Sequence, residues 1–382
     1  MKYIALNEIA EVIAGQSPPS DSYNQIRKGL PFFQGKADFG DLYPTVRYWC
    51  VAPKKISYPN DILFSVRAPV GPTNLNNTEA CIGRGLAAVR CGKHIDTSYL
   101  LHFLRANEER IANMGTGSTF KAITIKDLKS LKIPLPPLPE QKRIAEILDK
   151  ADALRQKNKQ LLAAYDELLQ ATFLDMFGDP VSNPKGWKLN SLSIYGDFKN
   201  GLNFSKEDEG VEIRCIGVGD FKDKSIFVDL KSIRHISLSS MPKDDYFLKN
   251  GDLIFVRSNG NRELVGRCLV VYPGTDRVSY SGFCIRFRVK NDSLSTVYLS
   301  HLFRIPSFKR AMLQNGRGAN IQNINQGLLA NLRTPIPPKK IQQRFSRTVE
   351  NIEAQKALVK QSLQQSEDLF HGLVQKEFSG HL

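Results

Sequence analysis

Much of what this sequence lacks narrows what it can do. Its six cysteines, Cys50, Cys81, Cys91, Cys215, Cys268 and Cys284, form no CxxC pair and have no histidines beside them at zinc-ligand spacing. Reduced, buried thiols are therefore expected rather than a structural zinc site. No run approaches the 18 or so apolar residues that a membrane helix needs. MKYIALNEIAEVIAG opens without a basic stretch leading into an apolar one, so a signal peptide is not expected and the chain reads as soluble and cytoplasmic. Catalytic signatures are absent too. There is no G-x-x-x-x-G-K-[ST] loop to hold ATP phosphates. Asn183-Pro184-Lys185 and Asp179-Pro180-Val181 do not make the Asn/Asp-Pro-Pro-aromatic motif that would hold a target amine for methylation. Gly115-Thr116-Gly117 and Gly316-Arg317-Gly318 lack the third glycine of a dinucleotide fingerprint, and the first follows an expected helix where the fingerprint needs a strand. Six scattered histidines suggest no catalytic triad, and adjacent acids such as Asp244-Asp245 read as solvated. The expectation is a chain without catalytic residues, bound metal or cofactor of its own.

Acidic residues are also few relative to basic ones, 38 against 53, which leaves a formal net charge of +15. An excess of that size favours a polyanionic partner. It is unevenly spread: +6 over residues 1–138, −1 over 139–177, +8 over 178–338 and +2 over 339–382. At 382 residues, with 41% hydrophobic and 24% charged, the chain has material for two domains with cores of their own.

The sequence is written twice. TSYLLHFL (97–104) matches TVYLSHLF (296–303), GTGSTFKAITIKDL (115–128) parallels GRGANIQNINQGLL (316–329), and IPLPPLPEQKR (133–143) parallels TPIPPKKIQQR (334–344). Earlier, NDILFSVR (60–67) parallels GDLIFVR (251–257). The offset drifts in the first part of each copy and holds near 200 residues in the second, the pattern of variable domains joined to a constant element. Short apolar stretches such as DILFSVR, GLAAVRC, DLIFVRS and GFCIRFRV, bounded by Gly, Pro and Asn, read as strands. A helix near the end of each copy makes the class α+β.

Each constant part reads as one long helix. Pro139 suits a first turn and no glycine follows until Gly178. In the first, Ile144, Ala151, Asn158, Tyr165 and Thr172 recur every seventh residue, interleaved by Ile147, Leu154, Leu161 and Leu168. In the second, Phe345, Ile352, Val359 and Leu373 hold the matching places, with Val349, Leu363 and Phe370 four residues on. Heptad spacing of this length is a coiled-coil seam, and the two helices are expected to pair antiparallel with Asn158 fixing register. A 36-residue helix would be roughly 54 Å long, more than the roughly 34 to 36 Å of one DNA turn. The boundaries expected are 1–138, 139–177, 178–338 and 339–382.

IPLPPLPEQKRIAEILDKADAL, followed by a helix ending in LLQATFLDMFGDP, closely resembles the central conserved region of Type I restriction-modification specificity subunits. TPIPPKKIQQRFSRTVENIEAQ onward is similar to their distal conserved region. The resemblance implies two tandem pseudo-symmetric target-recognition domains separated by two long helices in an antiparallel coiled coil. Each domain would read one half of a bipartite double-stranded DNA site. The helices would set the spacing and dock two modification subunits, which methylate adenine with S-adenosylmethionine. Two restriction subunits would add ATP- and Mg-dependent translocation and cleavage in defence against phage. The second copy departs at Lys339-Lys340-Ile341, where the first has Leu138-Pro139-Glu140, so the two docking surfaces need not be equivalent.

Basic and amide residues on strand edges and loops are the expected DNA contacts, Arg for guanine, Asn or Gln for adenine and Lys for phosphate. They are Gln16, Ser17, Lys36, Arg47, Arg67, Arg84 and Lys121 in the first domain. In the second they are Asn203, Arg214, Lys222, Arg257, Asn259, Arg262, Arg267, Arg317 and Asn320. Arg67 and Arg257 each follow an apolar strand opened by Asp61 or Asp252, so a salt bridge to that acid competes with a DNA role. Two other functions stay open: a self-contained methyltransferase or nuclease with unfamiliar motifs, and a coiled-coil scaffold that ignores DNA.

Overall fold

The duplication in the sequence is a duplication of sheets. The computed structural model describes residues 3–115, 122–205, 207–221, 226–227, 230, 232–261, 263–290, 292–314 and 323–378. Two compact units form, Met1–Lys159 with Lys360–Leu382, and Gln160–Val359.

In the first unit a four-stranded antiparallel sheet runs in the order Ala10–Ala14, Leu86–Cys91, Ile62–Ser65, Thr73–Leu75. The strand Ile62–Ser65 is buried throughout, as a continuous apolar run should be when both faces of its sheet are covered. A five-stranded sheet runs in the order Tyr23–Asn24, Tyr48–Cys50, Leu30–Phe33, Ala80–Ile82, Ile56–Ser57, with Leu30–Phe33 and Ala80–Ile82 parallel. In the second unit Gly196–Asn200, Cys284–Val289, Asp252–Val256, Cys268–Val271 and Ile226–Phe227 form the counterpart of the four-stranded sheet. His235–Leu238, Val211–Ile216 and Val278–Tyr280 form that of the other, again with one parallel pair, Val211–Ile216 with Val278–Tyr280.

The helix closing each variable part, Thr97–Ala106 or Thr296–Leu302, is capped by a side chain, Asp96 or Ser295, that accepts from the backbone N–H three residues on. Its buried tyrosine donates to a carbonyl of the proline-rich segment, Tyr99 to Pro134 at 2.9 Å and Tyr298 to Pro335 at 2.8 Å. One glutamine then locks the start of each long helix. Gln141 accepts from Asp96 N–H at 2.9 Å and donates to the His94 and Pro136 carbonyls. Gln342 accepts from Ser295 N–H at 2.8 Å and donates to those of Ser293 and Pro337. Both are fully buried, where an amide left without partners would be costly.

The long helices are Leu138–Phe177 and Lys339–Phe378. In the first unit Ile144, Leu148 and Ala151 share a core with Phe370, Leu373, Val374 and Phe378. In the second unit Leu169, Phe173 and Phe177 pack with Phe345, Val349 and Ile352. Within each unit, therefore, an early stretch of one helix meets a late stretch of the other. Asn158 donates to Ser362 at 3.1 Å, and Lys356 is buried with Asp166 at 2.7 Å and Glu353 at 3.0 Å. Burial alone would lower the Lys356 pKa, but those two carboxylates raise it.

Half of the heptad expectation needs correcting. Ile144, Ala151, Asn158 and Tyr165 face the seam or the core, and Phe345 and Ile352 do the same on the second helix, with Val359 half-buried. Leu154, Leu161 and Leu168 are instead 46%, 40% and 48% exposed, and Ile147 is half-buried. The reason is rotation. Each residue turns the helix by about 100°, and the seam runs 144, 148, 151, 155, 158, so Ile147 and Leu154, one position before 148 and 155, and the leucines that repeat them fall on its flank. Arg155 fills the seam where Leu154 was expected, its guanidinium 4.3 Å from the Phe370 ring and bonded to Asp152.

Candidate nucleic-acid interface

Each unit carries a polar cleft lined by turns between its strands. In the first unit a cleft of about 530 Å³ is lined by Ser17, Gln34, Lys36, Arg67 and Arg84, with Tyr23 and Phe32 on its apolar wall. Among the described residues no carboxylate lines it. The loop that presents Gln34 and Lys36 is held from below by the buried Asp38, which accepts from the Gln34 and Gly35 N–H groups at 2.7 and 3.3 Å. Arg47 closes on the same carboxylate at 2.5 Å, so its guanidinium anchors the loop. Gln16 is exposed beside the cleft without lining it, its N–H bonded to the Ile82 carbonyl. Lys121 lies outside the described residues.

In the second unit the equivalent cleft, about 670 Å³, is lined by Gly217 to Asp220, Arg234, Ser258 to Gly260, Phe283 and Asn323. Asp220 plays the part of Asp38, accepting from Gly217 N–H at 2.8 Å. Of the expected contacts that fall among the described residues, Asn259 lines this cleft and the others do not. Arg214 pairs with Asp276 at 3.3 Å. Asn203 is exposed against Gly282. Arg267 is half-buried away from the lining. Lys222, Arg262, Arg317 and Asn320 lie outside the described residues, as do Gly117 and Gly316 to Gly318.

The acids that open the two strands are spent on other arginines. Asp61 is held by both nitrogens of Arg90 at 2.9 Å, and Asp252 by Arg288 at 2.8 and 2.7 Å. Each carboxylate also accepts a backbone N–H, from Tyr58 or Lys249. These bonds raise the pKa of Arg90 and Arg288. Arg67 and Arg257 are therefore not consumed by the acids that precede them in sequence.

Nor are those two arginines equivalent to one another. Ile123 N–H donates to the Val66 carbonyl, and Ile324 N–H to that of Arg257; Arg67 bridges Ala122, and Ser258 bridges Asn323. The strands align from Asp61 and Asp252 with no gap, so Ser258, not Arg257, stands where Arg67 does. Arg257 takes the place of the buried Val66 and lies outside the cleft lining, with Nη1 3.5 Å from the Gly282 carbonyl. Sequence reasoning missed Gln34, Arg234, Ser258, Phe283 and Asn323. Phe283 carried a usable signal, an aromatic in a Ser-Gly-Phe turn, and it is 61% exposed.

Among the described residues no helix is long and apolar enough to cross a membrane, and no cluster of His, Cys, Asp and Glu is arranged to hold a metal.

Compared with known proteins, residues 1–164 and 184–367 match the model of the Type I restriction modification DNA specificity domain. A Methanocaldococcus jannaschii protein provisionally named as the type I restriction enzyme MjaX specificity subunit is 45% identical over 164 residues, 42% of this chain but only 39% of the relative. The type I restriction enzyme EcoKI specificity subunit of Escherichia coli K12 is 26% identical over 95% of this chain and 83% of its own length. The crystal structure of a Type-I restriction-modification system S subunit from M. genitalium shares the fold, with a TM-score of 0.58 over 98% of this chain and 95% of that one at 16% identity.

Proposed function

The chain belongs to the Type I restriction modification DNA specificity domain family, and from that membership we propose that it selects the DNA site for a Type I restriction-modification complex. Each unit reads one half of a split sequence through its cleft and the turns around it. The paired helices set the spacing between halves and dock two modification subunits. Those subunits methylate adenine with S-adenosylmethionine, and restriction subunits, where they join, use ATP and Mg. Site selection is this chain's task, and the bond-making belongs to its partners.

The observation that carries this reading is the repetition of a polar cleft at equivalent places in the two units, built on the same hydrogen-bonded frame while its lining side chains differ. A constant frame with variable contents is what a module needs if it is to read different bases from one scaffold. The excess positive charge outside the helices supplies the sequence-independent attraction to phosphate.

Methylome sequencing of cells with and without the gene tests the proposal. Loss of one split adenine-methylation motif is expected on deletion, and an unchanged methylome would overturn it. The purified chain alone, given labelled methyl donor and site-bearing DNA, is expected to transfer no label.

A further inference from the structure

The two clefts occupy equivalent places but present different chemistry. Resting on the site-selection reading above, we infer that Arg67 and Arg84 form a guanine-reading pair in the first unit, and that the half-site it takes contains a G·C pair read by them.

The equivalence is fixed by backbone hydrogen bonds. Gly15 and Gly201 N–H donate to the Leu86 and Cys284 carbonyls, Gln16 and Leu202 to those of Ile82 and Tyr280, and Val66 and Arg257 to those of Gly85 and Phe283. Counting along the chain from these anchors puts Arg67 opposite Ser258 and Arg84 opposite Gly282. Both arginine positions are therefore basic in the first unit and carry no base in the second.

The two arginines are also uncommitted. Arg47 and Arg90 in the same unit are tied to the buried Asp38 and Asp61. Arg67 and Arg84 are exposed at the cleft and enter no ion pair among the described residues. A guanidinium left free beside a cleft that no carboxylate lines among the described residues offers a planar fork of donors, which matches O6 and N7 of guanine. A carboxylate in that lining would have favoured the amino group of cytosine instead. Lys36 on the cleft wall has the compact charge suited to the neighbouring phosphate. In the second unit the corresponding surface offers the hydroxyl of Ser258, the amides of Asn259 and Asn323 and the exposed ring of Phe283, and the arginine that lines it, Arg234, comes from a different position, so neither of the two places held by Arg67 and Arg84 carries an arginine there.

The full chain in complex with its modification subunits, offered a pool of randomised duplexes, tests this. Wild type is expected to enrich a two-part motif with a guanine in one part. Arg67→Lys and Arg84→Lys keep the charge but lose the fork. Each is expected to lower the preference for a guanine in that part by about tenfold and to leave the other part unchanged. Full retention of base preference in both variants would overturn the inference, because it would make the arginines phosphate contacts. Loss of preference at a base pair other than G·C, or equal loss in both parts, would overturn it too. If wild type enriched no motif at all, the site-selection reading itself would fall.

Discussion

At the scale of single residues, the same side chain takes opposite fates in the two units according to what stands beside it. His102 and His301 occupy equivalent places in the closing helices. His102 Nε2 meets Asp149 at 2.7 Å. Among the described residues His301 Nε2 is buried with no hydrogen-bond partner, and burial, aided by the charges of Arg304 and Lys356, pushes its pKa down to about 3. Since an unfolded histidine titrates near pH 6.5, the unfolded chain takes up the proton first. The stability contribution of neutral His301 is therefore complete above about pH 6.5 and is lost as pH falls from there toward 3. Urea midpoints measured from pH 7 to pH 4.5 are expected to fall more steeply for wild type than for His301→Phe; parallel curves would show that His301 is not the group responsible. The carboxylates Asp61 and Asp252 show a related limit on sequence reading. Each was visible as an acid before an arginine, but its partner proved to be Arg90 or Arg288 on the neighbouring strand, and strand pairing is a non-local fact.

At the scale of elements, the first long helix was legible because Pro139, the absence of glycine up to Gly178 and the apolar period are all local signals, and the second, which contains Gly372, was legible from its apolar period and its match to the first. The seam was only half legible. Two lines of apolar residues at seven-residue spacing run along the first helix, and spacing alone cannot say which of them a partner covers. Leu148 is fully buried, whereas Leu154 is 46% exposed. Leu148→Ala is expected to cost about 3 kcal/mol through lost burial and the cavity left behind. Leu154→Ala is expected to cost less than about 1 kcal/mol. Denaturant titration of the two variants checks the assignment, and equal losses would restore the original heptad. The departure at Lys339-Lys340-Ile341 also changes meaning at this scale. It leaves Gln342 in place, and Gln342 makes the same lock in the second unit that Gln141 makes in the first.

At the scale of the whole molecule, each unit borrows from both long helices. Phe378, at the end of the second helix, packs on Tyr99 and Phe103 of the first unit at ring distances of 5.5 and 5.6 Å, and Phe173 and Phe177 pack on Tyr298 of the second. Exchange of residues 3–134 for the matching segment of another family member, with both helices kept, is expected to change one half of the methylated motif and preserve the other. A change in both halves, read by methylome sequencing, would refute the independence of the units. The sequence by itself determined the duplication, the α+β class, the long helices and the family, because these rest on patterns that recur along the chain and on local preferences of a few neighbouring residues. Only the tertiary structure decided which arginines are anchored to buried acids and which stand at a cleft without such an anchor. It also put Ser258 opposite Arg67 and chose the line of apolar residues that forms the seam. Those outcomes depend on strand register and helix rotation, and a shift of one residue, which the alignment of short apolar strands cannot exclude, moves a side chain from a cleft to a core.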